Sequence, residues 1–169
     1  MDIYTFAMQM EKNGEDYYRE LEQKCKNKGM KKVFAMLAEE EEKHYQIIKQ
    51  IREKTILPEG VESEVLTDVK NIFQQMKEDK LNFEQGFYID TTEETNAYRK
   101  ARDIEETSRK FYLEKAEEET DKQSELLLRM LAREEDKHYR IMDNIVEFVS
   151  RPEPGNWLED AEWHHLDNY

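Results

Sequence analysis

Apolar residues recur at steps of three and four through most of the chain, and polar residues fill the positions between them. This spacing lines one face of an α-helix with apolar side chains, so it predicts amphipathic helices that pack on one another. Four long helices are predicted, over residues 2–26, 30–54, 90–119 and 120–151. The pattern therefore predicts an all-α fold, a four-helix bundle.

Turn and capping signals separate these helices. We expect the turn at Asn27–Gly29 to end the first helix, because glycine tolerates the left-handed conformation of a C-terminal cap. Asp90 and Glu93 have the spacing of a capping box, as do Thr120 and Gln123. We expect these two boxes to open the third and fourth helices.

A long connection joins the second and third helices, and part of it is amphipathic. The apolar positions that predict a shorter helix there are Val65, Leu66, Val69, Ile72, Phe73 and Met76. A connection of this length can cross a bundle from end to end. We therefore expect one domain over residues 1–150, with hairpins at 1–55 and 92–150 and a crossover at 56–91. Residues 151–169 are predicted to form a short helix that packs on the bundle or on a partner subunit.

The chain contains an internal repeat at an offset of 94 residues. The segment LAEEEEKHYQI, which begins at Leu37, returns as LAREEDKHYRI from Leu131 with eight of eleven residues identical. Matching pairs extend beyond this segment without a gap, so one helical hairpin is used twice. The further pairs are Glu11 with Glu105, Tyr18 with Tyr112, Glu20 with Glu114, and Met36 with Met130.

The inward line of each helix contains an acidic residue among apolar ones. Glu39, Glu40 and Glu42 are expected on a solvated face, whereas Glu41 lies in the middle of the apolar line. The predicted inward residues are Ala7, Glu11, Gly14, Tyr18, Leu21 and Cys25; Phe34, Leu37, Glu41, His44, Ile48 and Ile51; Tyr98, Ala101, Glu105, Ser108 and Tyr112; Leu128, Leu131, Glu135, His138, Met142, Ile145 and Val149.

Each long helix thus contributes one core carboxylate, and two helices add a histidine one turn later. Burying an isolated ionised carboxylate in a protein core costs on the order of several kcal/mol of folding free energy. No Lys or Arg occupies these lines near the acids, so divalent cations are the expected compensation. The predicted metal ligands are Glu11, Glu41, His44, Glu105, Glu135 and His138. Carboxylate and imidazole ligands favour iron or manganese over thiolate-preferring metals.

Composition narrows the alternatives. The formal net charge of −14 argues against nucleic acid and anionic membranes as partners. Cys25 is the one cysteine, which excludes an intramolecular disulfide and a four-cysteine iron centre within these residues. No signal peptide and no apolar run of the length that spans a bilayer is visible, so we expect a cytoplasmic protein.

The four motif segments resemble those of the ferritin-like superfamily and, within it, of the rubrerythrin-like branch. They are EKNGEDYY from Glu11, EEEKH ending at His44, EETSRKFY from Glu105 and EEDKH ending at His138. The resemblance covers residues 1–150 and implies a ferritin-like four-helix bundle with a long crossover. It also implies that Glu41 and Glu135 bridge two iron ions, with manganese as the alternative metal. Glu11 with His44, and Glu105 with His138, would complete the separate ions.

The resemblance implies a function as well. Rubrerythrins reduce hydrogen peroxide at a di-iron centre, so we expect a peroxidase-type oxidoreductase that acts on peroxide or dioxygen, as a homodimer. Two departures stand against this. The rubredoxin domain of rubrerythrins has four cysteines and only Cys25 is present, so we expect an external electron donor such as rubredoxin. Rubrerythrins also carry an extra carboxylate one turn from the third-helix ligand, where Arg102 and Ser108 lie here.

Two other functions remain open at this stage. A ferritin-like ferroxidase or iron-handling protein would use the same ligands, and a metal-binding bundle without catalytic activity would need no open coordination position. Tyr18 and Tyr112 lie two turns from Glu11 and Glu105, and we expect them to pack in the core and contact the ligands rather than to act in redox chemistry.

Overall fold

The computed structural model describes residues 2–55, 61–78 and 92–150, and this part of the chain is helical. The described residues form five helices and no strand, which confirms the predicted all-α bundle. They are α1 (Ile3–Lys24), α2 (Lys28–Glu53), α3 (Val65–Glu78), α4 (Thr92–Glu118) and α5 (Lys122–Val149). The predicted helix in the connection is α3. The predicted helix in residues 151–169 and the capping box at Asp90 lie outside the described residues.

Two predicted helix boundaries are wrong in their capping residue. Asn27 is the N-cap of α2, and its side chain accepts a hydrogen bond from the Met30 backbone N–H, while Gly29 lies inside the helix without a positive φ. The N-cap of α5 is Asp121 rather than Thr120, and its carboxylate accepts from the backbone N–H of Ser124. In both cases the short polar side chain that reaches the first free N–H groups decides where the helix begins.

The long helices pack as two hairpins. The closest packing is between α1 and α2 and between α4 and α5, and the two hairpins meet through their inward faces. Helix α3 packs on α2 and α5 and buries Val65, Val69 and Phe73. The α2 and α5 side of the bundle is therefore covered by α3.

The apolar core is divided into two clusters. One contains Phe34 and Leu37 with Met142 and Ile145, and the other contains residues such as Ile48 on the opposite side of the acidic positions. All four long helices carry their buried acid between these clusters. The core is thus a polar layer between two apolar layers, and the polar layer is where function is expected.

In the part of the chain that the structure describes, no helix is both long enough and apolar enough to span a membrane.

With Asn27 as the N-cap of α2, substitutions at Asn27 and Gly29 are expected to change stability in opposite directions. Because Asn27 is the cap, Asn27→Ala should lower the free energy of unfolding by about 1 kcal/mol. Gly29→Ala should raise it by about 0.5–1 kcal/mol, since Gly29 has an ordinary helical conformation and alanine is the better helix former. Urea unfolding followed by circular dichroism measures both. A loss of stability in Gly29→Ala would show that the glycine ends α1 in the left-handed conformation.

Candidate metal centre

The structure brings all six predicted metal ligands into the polar layer. Helices α1 and α4 provide Glu11 and Glu105, and α2 and α5 each provide a Glu-x-x-His pair. The side chains are almost completely buried, with no more than 3% of any of them exposed. They are Glu11, Glu41, His44, Glu105, Glu135 and His138.

The two Glu-x-x-His pairs form the middle of the layer. Ligand atoms of Glu41, His44, Glu135 and His138 all lie within 4.8 Å of one another. The imidazole rings of His44 and His138 are stacked, with centroids 5.2 Å apart and planes at 6°. The Nδ1 atoms of both rings face the carboxylates.

Each central carboxylate presents one oxygen to each histidine. In Glu135, Oε1 lies 2.7 Å from Nδ1 of His44 and Oε2 lies 3.9 Å from Nδ1 of His138. In Glu41, Oε2 lies 3.8 Å from Nδ1 of His44 and Oε1 lies 3.4 Å from Nδ1 of His138. Both carboxylates therefore span the space between the two histidines.

Each outer carboxylate faces the histidine of its own hairpin. Glu11 Oε2 lies 3.5 Å from Nδ1 of His44, and Glu105 Oε2 lies 3.6 Å from Nδ1 of His138. The six side chains thus form two equivalent groups of a glutamate and a histidine, with the two central glutamates between them. This is the same twofold relation that the repeat shows in sequence.

Two buried tyrosines hold the outer carboxylates from the opposite hairpin. Tyr18 of α1 donates a hydrogen bond to Oε1 of Glu105, and Tyr112 of α4 donates one to Oε1 of Glu11. Burial and the neighbouring carboxylates raise the pKa of both hydroxyls well above the usual value, so they stay protonated donors. The tyrosines are satisfied core residues that contact the candidate ligands.

Without a cation, the four carboxylates divide into two kinds. Burial first, and then the charges of the other carboxylates, raise the pKa of Glu41 and Glu135 well above the usual range. Burial also opposes ionisation of the outer pair, but hydrogen bonds outweigh it. The pKa of Glu11 is lowered because the carboxylate accepts from Glu41, His44 and Tyr112. The pKa of Glu105 is lowered chiefly by His138 and also by Glu135 and Tyr18.

Several ligand atoms remain buried without a hydrogen-bond partner among the described residues. Oxygen Oε2 of Glu11, Glu105 and Glu135 has none, nor has Nδ1 of His138. Buried polar atoms are ordinarily paired, so these atoms face a space that fits an ion bound by oxygen and imidazole nitrogen. The residues present thus fit a metal-binding site.

Two further acids, Glu40 and Glu134, lie near His44, which was not expected from the sequence. Glu40 was predicted on a solvated face, but it is half-buried, and one of its oxygens lies close to His44 and to Glu134. Glu134 is 1% exposed and its carboxylate accepts from Nζ of Lys137 at 2.7 Å. The signal was present, because Glu40 and Glu134 are a repeat-related pair one turn before each histidine. Carboxylates beside the ring can orient a histidine ligand.

A glycine allows α1 to approach the central carboxylate. A Cβ atom at Gly14 would lie 3.3 Å from Cδ of Glu41 and 3.5 Å from its Oε1. The repeat-related residue on α4 is Ser108, which is also buried. Small residues thus occupy the positions one turn after both outer glutamates.

A four-helix bundle with this carboxylate and histidine layer defines a ferritin-like protein whose residues fit a metal-binding site. The Rubrerythrin family model matches residues 2–146, and the chain belongs to the Rubrerythrin family. Searches of curated proteins and of solved structures find no match.

The raised pKa values of Glu41 and Glu135 predict how the metal-free protein responds to pH. The folded state holds protons there that the unfolded chain releases above a pKa of about 4.3, so stability falls as pH rises. His138, whose pKa is also raised, acts in the same direction. The lowered pKa values of Glu11 and Glu105 matter only below the unfolded value. The melting temperature of the metal-free protein should therefore decrease from about pH 5 to about pH 8.

Two substitutions on α2 locate this effect. Glu41→Gln removes one titrating carboxylate and should flatten the pH dependence, whereas Glu39→Gln on the exposed face should leave it as in the wild type. Melting curves by circular dichroism in chelator-treated buffers measure the slope. Equal slopes in all three proteins would mean that Glu41 is ionised in the folded metal-free state.

The contact at Gly14 predicts a selective effect on metal binding. In Gly14→Ala the new Cβ displaces the carboxylate of Glu41 by a few tenths of an ångström, so the gain in melting temperature on adding ferrous or cobalt ion should shrink. Ser108→Ala is the matched control because it removes a hydroxyl and adds no atom near a ligand. An unchanged metal-induced shift in Gly14→Ala would place Glu41 outside the coordination sphere.

Proposed function

We propose that the centre holds two iron ions and that the protein reduces hydrogen peroxide to water with electrons from an external donor. The observation that carries this proposal is the placement of Glu41 and Glu135, each with one oxygen toward each histidine. A carboxylate in that position would be able to bridge two ions. Glu11 with His44, and Glu105 with His138, complete the separate ligand sets.

Charge and ligand type support two divalent ions. Four carboxylates and two neutral imidazoles balance two doubly charged cations without any protein counter-charge. Oxygen and nitrogen ligands suit iron, with manganese as the alternative, and the buried Cys25 belongs to an apolar cluster rather than to this layer. Membership of the Rubrerythrin family favours iron and peroxide.

When bound, a pair of ferrous ions would supply the two electrons that cleavage of the peroxide O–O bond consumes. The residues of this chain supply the environment. Tyr18 and Tyr112 hold the outer carboxylates in position, and their raised pKa values keep both hydroxyls as proton donors in the hydrogen bonds. The two apolar clusters exclude bulk water from the layer, which preserves the strength of these interactions.

One observation favours a second candidate, a ferroxidase. Ser108 lies one turn after Glu105, where rubrerythrins have an additional carboxylate, and a serine hydroxyl is a poor substitute for that ligand. A site with six ligands resembles that of proteins that oxidise ferrous iron with dioxygen. The comparison of oxidants below separates the two functions.

The test is stopped-flow absorbance of protein loaded with ferrous iron under anaerobic conditions. Hydrogen peroxide should oxidise the centre faster than dioxygen, and the reaction should stop after one cycle unless rubredoxin and its reductase are added. Elemental analysis should give two iron ions per chain in the wild type and in Glu39→Ala, and fewer than one in Glu41→Ala or Glu135→Ala. Faster oxidation by dioxygen with continued iron uptake would favour the ferroxidase, and no oxidation by either would favour a bundle without catalytic activity.

A further inference from the structure

A cleft of about 540 Å³ lies between α1 and α4, on the side of the bundle opposite α3. Helix α1 contributes one wall and α4 the other. Six of the residues that line it, three on each helix, are Met10, Asn13, Gly14, Ile104, Thr107 and Ser108, and the rest of the α4 wall is polar and includes Arg99, Lys100 and Asp103. None of these six was predicted as a metal ligand.

Six residues of this cleft form three pairs that are related by the repeat. Met10 and Ile104, Asn13 and Thr107, and Gly14 and Ser108 are pairs at the offset of 94 residues. Each wall therefore presents an apolar side chain, a polar side chain and a small residue in the same order.

Gly14 lies between the cleft and one of the central carboxylates. On the α2 and α5 side, α3 and the segment before it cover the layer, and Lys137 donates to the backbone carbonyl of Ser63. On the α1 and α4 side, Gly14 lines the cleft, and the Glu41 carboxylate lies directly behind it at van der Waals distance. Since the ligands are almost completely buried, an oxidant has to pass such a cover to reach them.

The cleft is much larger than hydrogen peroxide requires. A water molecule, which is close to peroxide in size, occupies about 30 Å³ in the liquid, whereas sites for small organic molecules measure about 300–1,000 Å³. Met10 and Ile104 give the two walls apolar side chains that suit a hydrocarbon group. The oxidant that uses this volume therefore carries an organic substituent.

We propose that the α1–α4 cleft binds the alkyl or aryl group of an organic hydroperoxide and directs its O–O bond past Gly14 and Ser108 to the metal centre. This inference rests on the proposed function and specifies its substrate class. With two electrons from a reduced metal pair and two protons, cleavage of the O–O bond would give an alcohol and water. Met10 and Ile104 are then residues that determine specificity.

The first experiment measures binding without turnover. Cumyl alcohol, the alcohol formed from cumene hydroperoxide, is added to the metal-free protein and followed by ligand-observed NMR. Binding is expected in the wild type and in Leu113→Trp, a matched control on α4 whose side chain is 39% exposed and does not line the cleft. Ile104→Trp should abolish it by filling the cleft. Met10→Trp fills the cleft from the opposite wall and serves if Ile104→Trp does not fold.

The second experiment compares two oxidants on ferrous-loaded protein by stopped flow. In the cleft-filling variant the oxidation rate with cumene hydroperoxide should fall about 10-fold or more relative to the rate with hydrogen peroxide, because only the organic group needs the volume. An equal fall for both oxidants would make the cleft a general entrance and overturn the assignment of an organic substrate.

The two experiments separate the possible failures. No binding of cumyl alcohol to the wild type, with normal oxidation by hydrogen peroxide, overturns this inference and leaves the proposed function in place. Binding that depends on Ile104 without oxidation by either peroxide overturns the proposed function and, with it, the assignment of the cleft to a hydroperoxide substrate. Binding that survives in both cleft-filling variants places the ligand elsewhere and overturns the inference.

Discussion

Four glutamates in the centre of a helical bundle are the constraint on which the rest of this structure depends. The effective cost of burying one uncompensated ion is several kcal/mol, and a whole domain is stable by only about 5–15 kcal/mol. Four such charges would unfold the bundle. The fold therefore requires either protons on the central pair, as the raised pKa values of Glu41 and Glu135 indicate for the metal-free protein, or cations among the carboxylates.

The same constraint explains why the core is layered and why the hydroxyls of two buried tyrosines lie at the outer carboxylates. Tyr18 and Tyr112 are almost fully buried aromatic residues, and each hydroxyl ends on an outer carboxylate. A phenylalanine would fill the same volume and leave that carboxylate oxygen unpaired, which costs about 1–3 kcal/mol for a buried polar group.

Much of the fold and of the candidate centre could be predicted from the sequence because two independent patterns, the apolar period and the repeat, both single out the same Glu and His residues. Glu41 differs from Glu39 only in its place on the helix, and a seam with steps of three and four distinguishes them. Caps were predicted less well. Asn27 caps the start of α2 because its side chain reaches a free N–H, and that is decided by local backbone geometry rather than by periodicity.

The half-buried acids show a different limit of sequence reasoning. Glu40 and Glu42 have the same charge and nearly the same neighbours in the chain, yet only Glu40 lies against the packed α5 helix with an oxygen near His44. Which edge of a helix is covered depends on the partner helix and on the crossover that lies over it. Neither can be derived from the period of one helix, so the repeat marks Glu40 and Glu134 as an equivalent pair but does not show that they lie close to His44.

The contacts between hairpins make the metal centre a property of their association. Each outer glutamate accepts its tyrosine hydrogen bond from the opposite hairpin, and His44 has its shortest contact with Glu135 of the other half. Neither hairpin alone holds all six candidate ligands, although the two halves carry the same types of ligand at equivalent positions. Metal bound in this centre would therefore stabilise the pairing of the hairpins, and pairing would favour binding, because an ion that needs both halves binds only the paired state. This linkage is a physical reason for the repeat to place its acids at equivalent positions in the two halves.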